Sequence, residues 1–219
     1  MQKNISDAER SACRTVVVVH GLWMTGAVFA LLRLRLARFG YRVAAFSYPS
    51  TRLTLDEIAS RLARFVSLLG AARVDFVGHS LGGLAVLNML AAHPRAPAGR
   101  VVLLGTPVTG SRAVQRIAKH GRARTLIGTA LLDWSADRGA AVAARSEVGM
   151  IAGTVRFGLG SLFIELPAPN DGAVCVDETR MPGLRDHLCL PLSHSGMMLS
   201  ARVAHEIRSF LELGHFTRG

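Results

Sequence analysis

The alternation of short β-branched runs with longer helical segments is the feature of this chain that most constrains its fold. The run at residues 15–19 ends in consecutive valines, and comparable apolar runs recur at intervals that leave room for a helix between them. A parallel strand is buried on both faces and therefore reads as a continuous apolar run, and its connection to the next parallel strand is usually a helix. The pattern predicts an α/β fold, a mostly parallel sheet with helices on both faces. The predicted strands are residues 15–19, 42–47, 74–77, 101–105, 148–154 and 187–192.

Helix signals fill the intervals between these strands. Thr54 and Glu57 form a capping-box pattern, which predicts that a helix begins there and places its apolar side chains on one face as far as residue 69. The segment 81–93 is apolar on nearly every side, so we expect a helix packed inside the molecule. Further helices are predicted over 27–38 and over 198–213, the last one ending at Gly214.

The composition favours one folded domain over residues 1–219. Half of the residues are apolar and 19% are charged, with a mean hydropathy of +0.31, whereas disordered chains are rich in charge. No uncharged apolar stretch is long enough to span a membrane. Residues 1–14 form a polar lead without the apolar centre of a signal peptide, so we expect a cytoplasmic protein. Residues 106–147 interrupt the alternation and are predicted to be a small cap insertion on a minimal core.

The chain is strongly basic, with 26 Lys and Arg residues and a net charge of +11. The arginines are spread along the sequence and do not alternate with aromatic residues, which favours a solvated arginine-rich surface over a nucleic-acid interface. We therefore expect no nucleic-acid partner. The basic stretch at 112–124 leaves a weak contact with an anionic membrane surface as an alternative. Oligomeric state is open.

Three cysteines, Cys13, Cys175 and Cys189, lack the spacing of a metal site. We expect a reducing environment and no metal or organic cofactor, and a bridge between Cys175 and Cys189 stays open.

The strongest chemical signal is the segment Gly78-His79-Ser80-Leu81-Gly82-Gly83, which lies between a predicted strand and a buried helix. A G-x-S-x-G pattern in that context is typical of a nucleophile elbow, where the serine sits on a strained turn and the glycines allow close packing. The amides at the start of the following helix favour negative charge near the serine oxygen. Ser80 is therefore the predicted nucleophile.

A serine nucleophile needs a base, and the base needs an orienting carboxylate, here expected in the chain order serine, acid, histidine. His194 follows the last predicted strand, at the carboxyl edge where ligands bind in open α/β sheets. Asp171, in Asn170-Asp171-Gly172, precedes it and is the predicted acid, although the same tripeptide also favours a plain turn. The competing histidines are His120, His187, His205 and His215, and the competing acids are Asp177, Glu178 and Asp186.

An oxyanion hole completes the predicted site. The backbone N–H of Leu81, directly after the nucleophile, is one expected donor. The second is expected from the loop after the first strand, where Gly21 permits close approach and Leu22 is the predicted donor. His20 is predicted chiefly to brace that loop.

These motifs together resemble the α/β-hydrolase superfamily, and the short chain with its His-Ser-x-Gly-Gly elbow is most similar to small bacterial serine lipases and esterases. The resemblance runs from about residue 15 to 214 and begins at what the family counts as its third strand. It implies a cap position for residues 106–147, where Leu126, Ile127, Leu131 and Trp134 either line an acyl pocket or form a packing helix pair. The predicted substrate-contacting residues are His20, Gly21, Trp23, His79, Leu131 and Trp134.

The resulting hypothesis is a serine esterase or lipase that works through a Ser80–His194–Asp171 triad and an acyl-enzyme, with a small-molecule or lipid ester as substrate. Serine at the elbow argues against the dehalogenase and epoxide-hydrolase chemistry that this fold runs with aspartate. A thioesterase or acyltransferase with the same triad is an alternative. A hydrolase that has lost its activity and only binds a ligand is another. The acyl chain length is not specified by the sequence.

Overall fold

The computed structural model of the protein describes residues 14–119, 127–157 and 165–218. Most of the polar lead, with Cys13, lies outside these ranges, as do His120 and Leu126. Within them, Cys175 and Cys189 are free thiols, the first buried and the second exposed. No helix in these ranges is both long enough and apolar enough to cross a bilayer.

The described residues form a six-stranded sheet in the order β2-β1-β3-β4-β5-β6, and every pairing between neighbouring strands is parallel. The prediction of a parallel sheet is therefore confirmed, with each predicted strand present. The strands are β1 Thr15–Val19, β2 Arg42–Phe46, β3 Val74–His79, β4 Ala98–Leu104, β5 Val148–Gly153 and β6 Asp186–Leu190.

Helices cover both faces of this sheet. They are α1 Ala30–Arg38, α2 Leu55–Leu68, α3 Leu81–Ala92, α4 Arg112–Ala118, α5 Ala136–Ala143, α6 Gly196–Leu199 and α7 Ala201–Leu213, with 3₁₀ turns at Gly26–Phe29 and Val176–Thr179. The capping box predicted at Thr54 and Glu57 is present in both directions. The closing helix was predicted as one piece, but Ser200 adopts an extended backbone, ends α6 and caps α7 by accepting from the Val203 N–H.

Two apolar layers hold the sheet between the helices. On one face, alternate residues of β1, β3, β4 and β5 pack against α2, α3 and α5. On the other, the intervening residues pack against α1 and α7. Strands β1, β3 and β5 are buried along their whole length, which is why they read as continuous apolar runs.

The described part of the 106–147 segment packs against the α3 face. Arg138 in α5 donates to Asn88 of α3 at 2.7 Å, and Ile127 is buried. The Trp134 indole N–H donates to the Val108 carbonyl at 2.8 Å, which ties Trp134 to the start of the segment. These contacts match the packing alternative for this segment, and its role as a cap over the site stays a prediction.

Candidate active site

Ser80 sits on a strained turn between β3 and α3. Its backbone has φ 54° and ψ −123°, a conformation that non-glycine residues rarely adopt. Its N–H donates to the Leu104 carbonyl of β4 at 2.9 Å, and its own carbonyl accepts from Gly83 at 3.0 Å. The turn is therefore fixed by backbone hydrogen bonds on both sides, and it holds the serine at the carboxyl edge of the sheet.

The glycines of the elbow allow α3 to approach the sheet closely. A Cβ at Gly78 would lie 2.5 Å from the Cα of Gly83, and one at Gly82 would lie 2.2 Å from the Val19 carbonyl oxygen. A Cβ at Gly83 would lie 2.1 Å from the Thr106 hydroxyl oxygen. Each approach is closer than real Cβ atoms reach, so the G-x-S-x-G-G spacing is required by packing.

His194 pairs with the buried Asp171. The His194 Nδ1 and Asp171 Oδ2 atoms are 2.7 Å apart, and the His194 backbone N–H donates to the Asp171 carbonyl at 2.9 Å. The Asp171 side chain is 1% exposed and that of His194 is 14% exposed. The carboxylate accepts the Nδ1 proton in this arrangement, so the other ring nitrogen of His194 is left to act as a base.

The two oxygens of Asp171 have separate partners. Oδ2 faces His194, whereas Oδ1 accepts from the N–H groups of Ala173 at 2.9 Å and Val174 at 2.8 Å. Burial acts to raise the pKa of Asp171, but the His194 contact and the two backbone N–H groups outweigh it and hold the pKa below its usual range. The residue therefore forms the expected turn and also carries a negative charge toward His194.

Three contacts bring this pair to the elbow. The His79 side chain, next to Ser80, has its Nε2 3.0 Å from the His194 carbonyl oxygen, and the two imidazole rings are 4.5 Å apart. Gly105 follows the strand residue that binds the Ser80 N–H. A Cβ at Gly105 would lie 2.9 Å from Asp171 Oδ2 and 3.0 Å from His194 Nδ1. His194 and Asp171 therefore lie beside the elbow that carries Ser80.

The Ser80 hydroxyl itself forms no hydrogen bond to another described residue. Such contacts are often long in unliganded sites and shorten when a substrate is bound.

The competing residues lie elsewhere or are occupied. Asp177 forms a two-pronged ion pair with Arg112, and Glu178 accepts from backbone N–H groups. Asp186 is at the start of β6 and binds the Phe216 N–H. Among the described histidines, His187 contacts Thr179, His205 packs on Phe39, and His215 lies near the C-terminal end.

The loop after β1 limits which backbone N–H can be the second oxyanion donor. A Cβ at Gly21 would lie 3.0 Å from the Ser80 Cβ, so this loop passes directly beside the nucleophile. The Trp23 N–H is taken by the Ser50 hydroxyl at 3.0 Å, which leaves Leu22 as the better candidate in this loop. Leu81 is the first residue of α3, and the first amides of a helix have no partner inside it. The assignment of both donors stays a prediction.

His20 is fully buried and braces the loop. Its Nδ1 donates to the Gly21 carbonyl at 2.8 Å, its Nε2 accepts from the Tyr48 N–H at 3.2 Å, and its ring stacks on the Tyr48 ring. Burial lowers the pKa of His20, consistent with a neutral ring that donates at one nitrogen and accepts at the other.

His79 is also fully buried, and its described contacts are with the protein. The proton on Nε2 donates to the His194 carbonyl, while Nδ1 has no partner among the described residues. Burial lowers its pKa to about 3, with a further lowering from the nearby His194. Its predicted contact with substrate stays a prediction, and the observed contact is with the backbone of the candidate base.

The remaining predicted substrate contacts differ in exposure. Trp23 has φ 57° and is 66% exposed at the edge of the site. Leu131 and Trp134 are half-buried and pack against the apolar cluster on the α3 face. A role for these three side chains in an acyl pocket stays a prediction.

Two residues that bear on the site were not singled out from the sequence. Gly105 has φ 52° and lies against the His194–Asp171 pair. The Gly-Thr-Pro run after β4 is the sequence feature that could have indicated this turn. Glu178 was weighed only as a competing acid, but its buried carboxylate joins the N–H of Cys175 at 2.7 Å to the N–H of Arg112 at 2.6 Å. It therefore fastens the loop of Asp171 to the start of α4.

Comparison with known proteins agrees with this geometry. The sequence profile of the alpha/beta hydrolase family matches residues 16–209, and the chain belongs to this family. Among solved structures it is similar to a Bacillus licheniformis lipase, BlEst2, with a TM-score of 0.72 and 19% identity over 94% of this chain and 93% of that one. It is also similar to naproxen esterase of Bacillus subtilis, with a TM-score of 0.60 and 14% identity over 90% of this chain and 83% of that one.

A curated relative shows similarity over a shorter stretch. The candidate carbamate hydrolase RutD of Cronobacter turicensis is 30% identical over 114 residues, which cover 48% of this chain and 42% of that protein. The chain thus matches less than half the length of this relative. The resemblance to the α/β-hydrolase superfamily is confirmed, and the low identities to the solved structures support the fold alone.

Proposed function

We propose that the chain hydrolyses carboxylic esters through an acyl-enzyme formed on Ser80. The observation that carries the proposal is the 2.7 Å contact of His194 with the buried Asp171 carboxylate, beside a serine held at φ 54°. A strained serine next to a carboxylate-oriented imidazole is the arrangement that activates a hydroxyl for acyl transfer. Esters are proposed as the substrate class by analogy with the lipase and the esterase that share this fold.

The proposed reaction runs in two halves. Ser80 Oγ attacks the ester carbonyl and transfers its proton to His194 Nε2, while Asp171 accepts the hydrogen bond from His194 Nδ1 and stabilises the imidazolium. The oxyanion is bound by the N–H groups of Leu81 and Leu22. His194 then protonates the departing alcohol. Water attacks the acyl-enzyme, gives a proton to His194, and the carboxylic acid is released as Ser80 recovers its proton.

The test is hydrolysis of p-nitrophenyl esters from acetate to palmitate by the wild type and by Ser80→Ala. We expect the variant to lose turnover by about 10⁴- to 10⁶-fold, because the oxyanion donors and binding alone retain only part of the rate enhancement. Ser67→Ala is the matched control, since Ser67 lies on the surface of α2 and donates to Arg64.

A fluorophosphonate probe gives a second readout that does not depend on the choice of ester. It should label the wild type and Ser67→Ala at Ser80, and should leave Ser80→Ala unlabelled. Turnover that survives Ser80→Ala, or a label on a different serine, would rule out Ser80 as the nucleophile.

A further inference from the structure

Most of the large apolar side chains that the structure leaves exposed lie at one edge of the molecule. Eight such side chains are exposed in the described residues. Six belong to segments that follow the carboxyl ends of β1, β5 and β6 or to the start of α1. We call these six the rim patch, and they are Trp23, Leu31, Leu34, Val155, Phe157 and Leu199. The other two, Leu68 and Leu213, end α2 and α7 at the opposite edge.

The rim patch is joined to the candidate site. The Val155 N–H donates to the Leu192 carbonyl, two residues before His194. The Phe157 backbone lies against Gly172, where a Cβ would come within 2.6 Å of the Phe157 carbonyl oxygen. Trp23 follows the loop that passes Ser80, and Arg35 of α1 donates to the Leu199 carbonyl. The patch therefore lies at the same edge of the sheet as Ser80, His194 and Asp171.

The charged residues nearest to the rim patch along the sequence are arginines. Arg33 and Arg35 flank Leu34 in α1, and Arg156 lies between Val155 and Phe157. The carboxylate that the site does hold, Asp171, is buried against His194. Exposed apolar side chains with arginines among them complement a layer that has an apolar interior and a negatively charged surface.

We propose that the rim patch docks on an anionic phospholipid surface and turns the opening of the site toward the lipid. Tryptophan and arginine are the side chains favoured at a membrane interface, where an apolar body inserts and a polar end stays in the headgroup layer. Anionic headgroups attract the arginines and exposed apolar side chains anchor the protein. A second copy of the chain fits less well, because a symmetric contact would bring the same arginines together without a carboxylate between them.

The test uses vesicles of phosphatidylglycerol and phosphatidylcholine in equal parts, with vesicles of phosphatidylcholine alone as reference. The Ser80→Ala protein is used, so that binding is measured whether or not the proposed ester hydrolysis is correct. We expect co-sedimentation with the anionic vesicles only. Any protein this basic binds them to some extent, so the decisive comparison is between variants with unchanged charge.

Trp23→Ser with Leu199→Ser should weaken vesicle binding by on the order of tenfold, because two anchoring side chains are lost. Leu68→Ser with Leu213→Ser, which removes exposed apolar side chains from the opposite edge, should leave binding unchanged. Equal losses in the two pairs, or full binding by the rim pair, would overturn the proposal.

Trp23 supplies a direct probe of insertion. The chain holds two tryptophans, and Trp134→Phe leaves Trp23 as the only one. Its emission should shift to shorter wavelength on anionic vesicles and be quenched by brominated lipid. Emission that stays unchanged would overturn the proposal. So would a dimer in sedimentation velocity that the rim pair dissociates, because that result would assign the patch to a second copy.

Discussion

At the scale of single residues, the carboxylate of Asp171 combines two tasks that a substitution can separate. Oδ1 holds the turn through the N–H groups of Ala173 and Val174, and Oδ2 faces the Nδ1 proton of His194. Asp171→Asn keeps an oxygen for the turn but places an amide NH₂, which cannot accept the hydrogen bond from His194 Nδ1, toward His194. We expect kcat for ester hydrolysis to fall by about 10⁴-fold while the melting temperature changes little.

Asp177→Asn is the control for this substitution, since Asp177 is an exposed partner of Arg112 outside the site. It should retain nearly full activity. A fall of less than tenfold for Asp171→Asn, with a folded protein, would mean that the residue only forms a turn.

His79 gives a second prediction at this scale, because it acts on His194 through the backbone. His79→Leu removes the donor to the His194 carbonyl, whereas His79→Gln can present an amide N–H in its place. We expect kcat to fall by roughly 10- to 100-fold in His79→Leu, with KM nearly constant, because the base is displaced by a fraction of an ångström. His79→Gln should recover much of the loss. Equal activities in the two variants would show that the hydrogen bond does not position His194.

How far single residues can be predicted depends on how local their causes are. The strained turn at Ser80 could be predicted because the glycines around it are required by the close packing of α3 against β1 and β3. The contact of His79 with the His194 carbonyl could not be predicted from the sequence, since the two residues are 115 positions apart and become adjacent only when β3 and the His194 loop meet. A short motif therefore predicts the turn that it forms, but it does not predict which distant backbone group its side chains contact.

At the scale of elements, the loop that carries Asp171 is held in place by Glu178. Its two oxygens accept from the N–H of Cys175 and from the N–H of Arg112 at the start of α4, and its side chain is 4% exposed. Glu178→Gln replaces one acceptor by a donor, so one buried N–H loses its partner. We expect the free energy of unfolding to fall by about 1–3 kcal/mol, measured by urea denaturation.

Asp177→Asn is again the matched control, because it removes a neighbouring carboxylate that is largely in solvent. Its ion pair with Arg112 should contribute less than about 1 kcal/mol. A larger loss for Asp177→Asn than for Glu178→Gln would contradict the proposed role of the buried contacts.

The strands and the long helices could be predicted because their signals are local. Consecutive valines in β1 and the capping box of α2 are complete within a few residues. The 106–147 segment could not be predicted in the same way. Trp134 is fixed by the Val108 carbonyl and Arg138 by Asn88, and neither partner is visible in the local sequence. The position of this segment therefore depends on long-range hydrogen bonds that a local pattern does not report.

At the scale of the whole molecule, buried neutral histidines in a basic chain make the fold sensitive to acid. Burial lowers the pKa of His79 to about 3, and burial together with the nearby Arg180 lowers that of His187 to about 4. In the unfolded chain both would titrate near the ordinary value of about 6.5. Between these values the unfolded state binds protons that the folded state does not, so acid favours unfolding.

We therefore expect the free energy of unfolding to be greatest above about pH 6.5 and to fall steadily toward pH 4. The fully buried His79 contributes a slope of up to about 1.4 kcal/mol per pH unit, or about 2 kcal/mol at pH 5, and the partly exposed His187 contributes less because solvent screens it. His79→Gln removes one titrating group, so its stability should fall less steeply than that of the wild type over the same interval. The measurement is urea denaturation of both proteins from pH 7 to pH 4 at constant ionic strength, which keeps the repulsion due to the net charge of +11 comparably screened. Parallel curves for the two proteins would mean that His79 takes up a proton in the folded state, and the neutral ring assigned to it in the site would then be wrong.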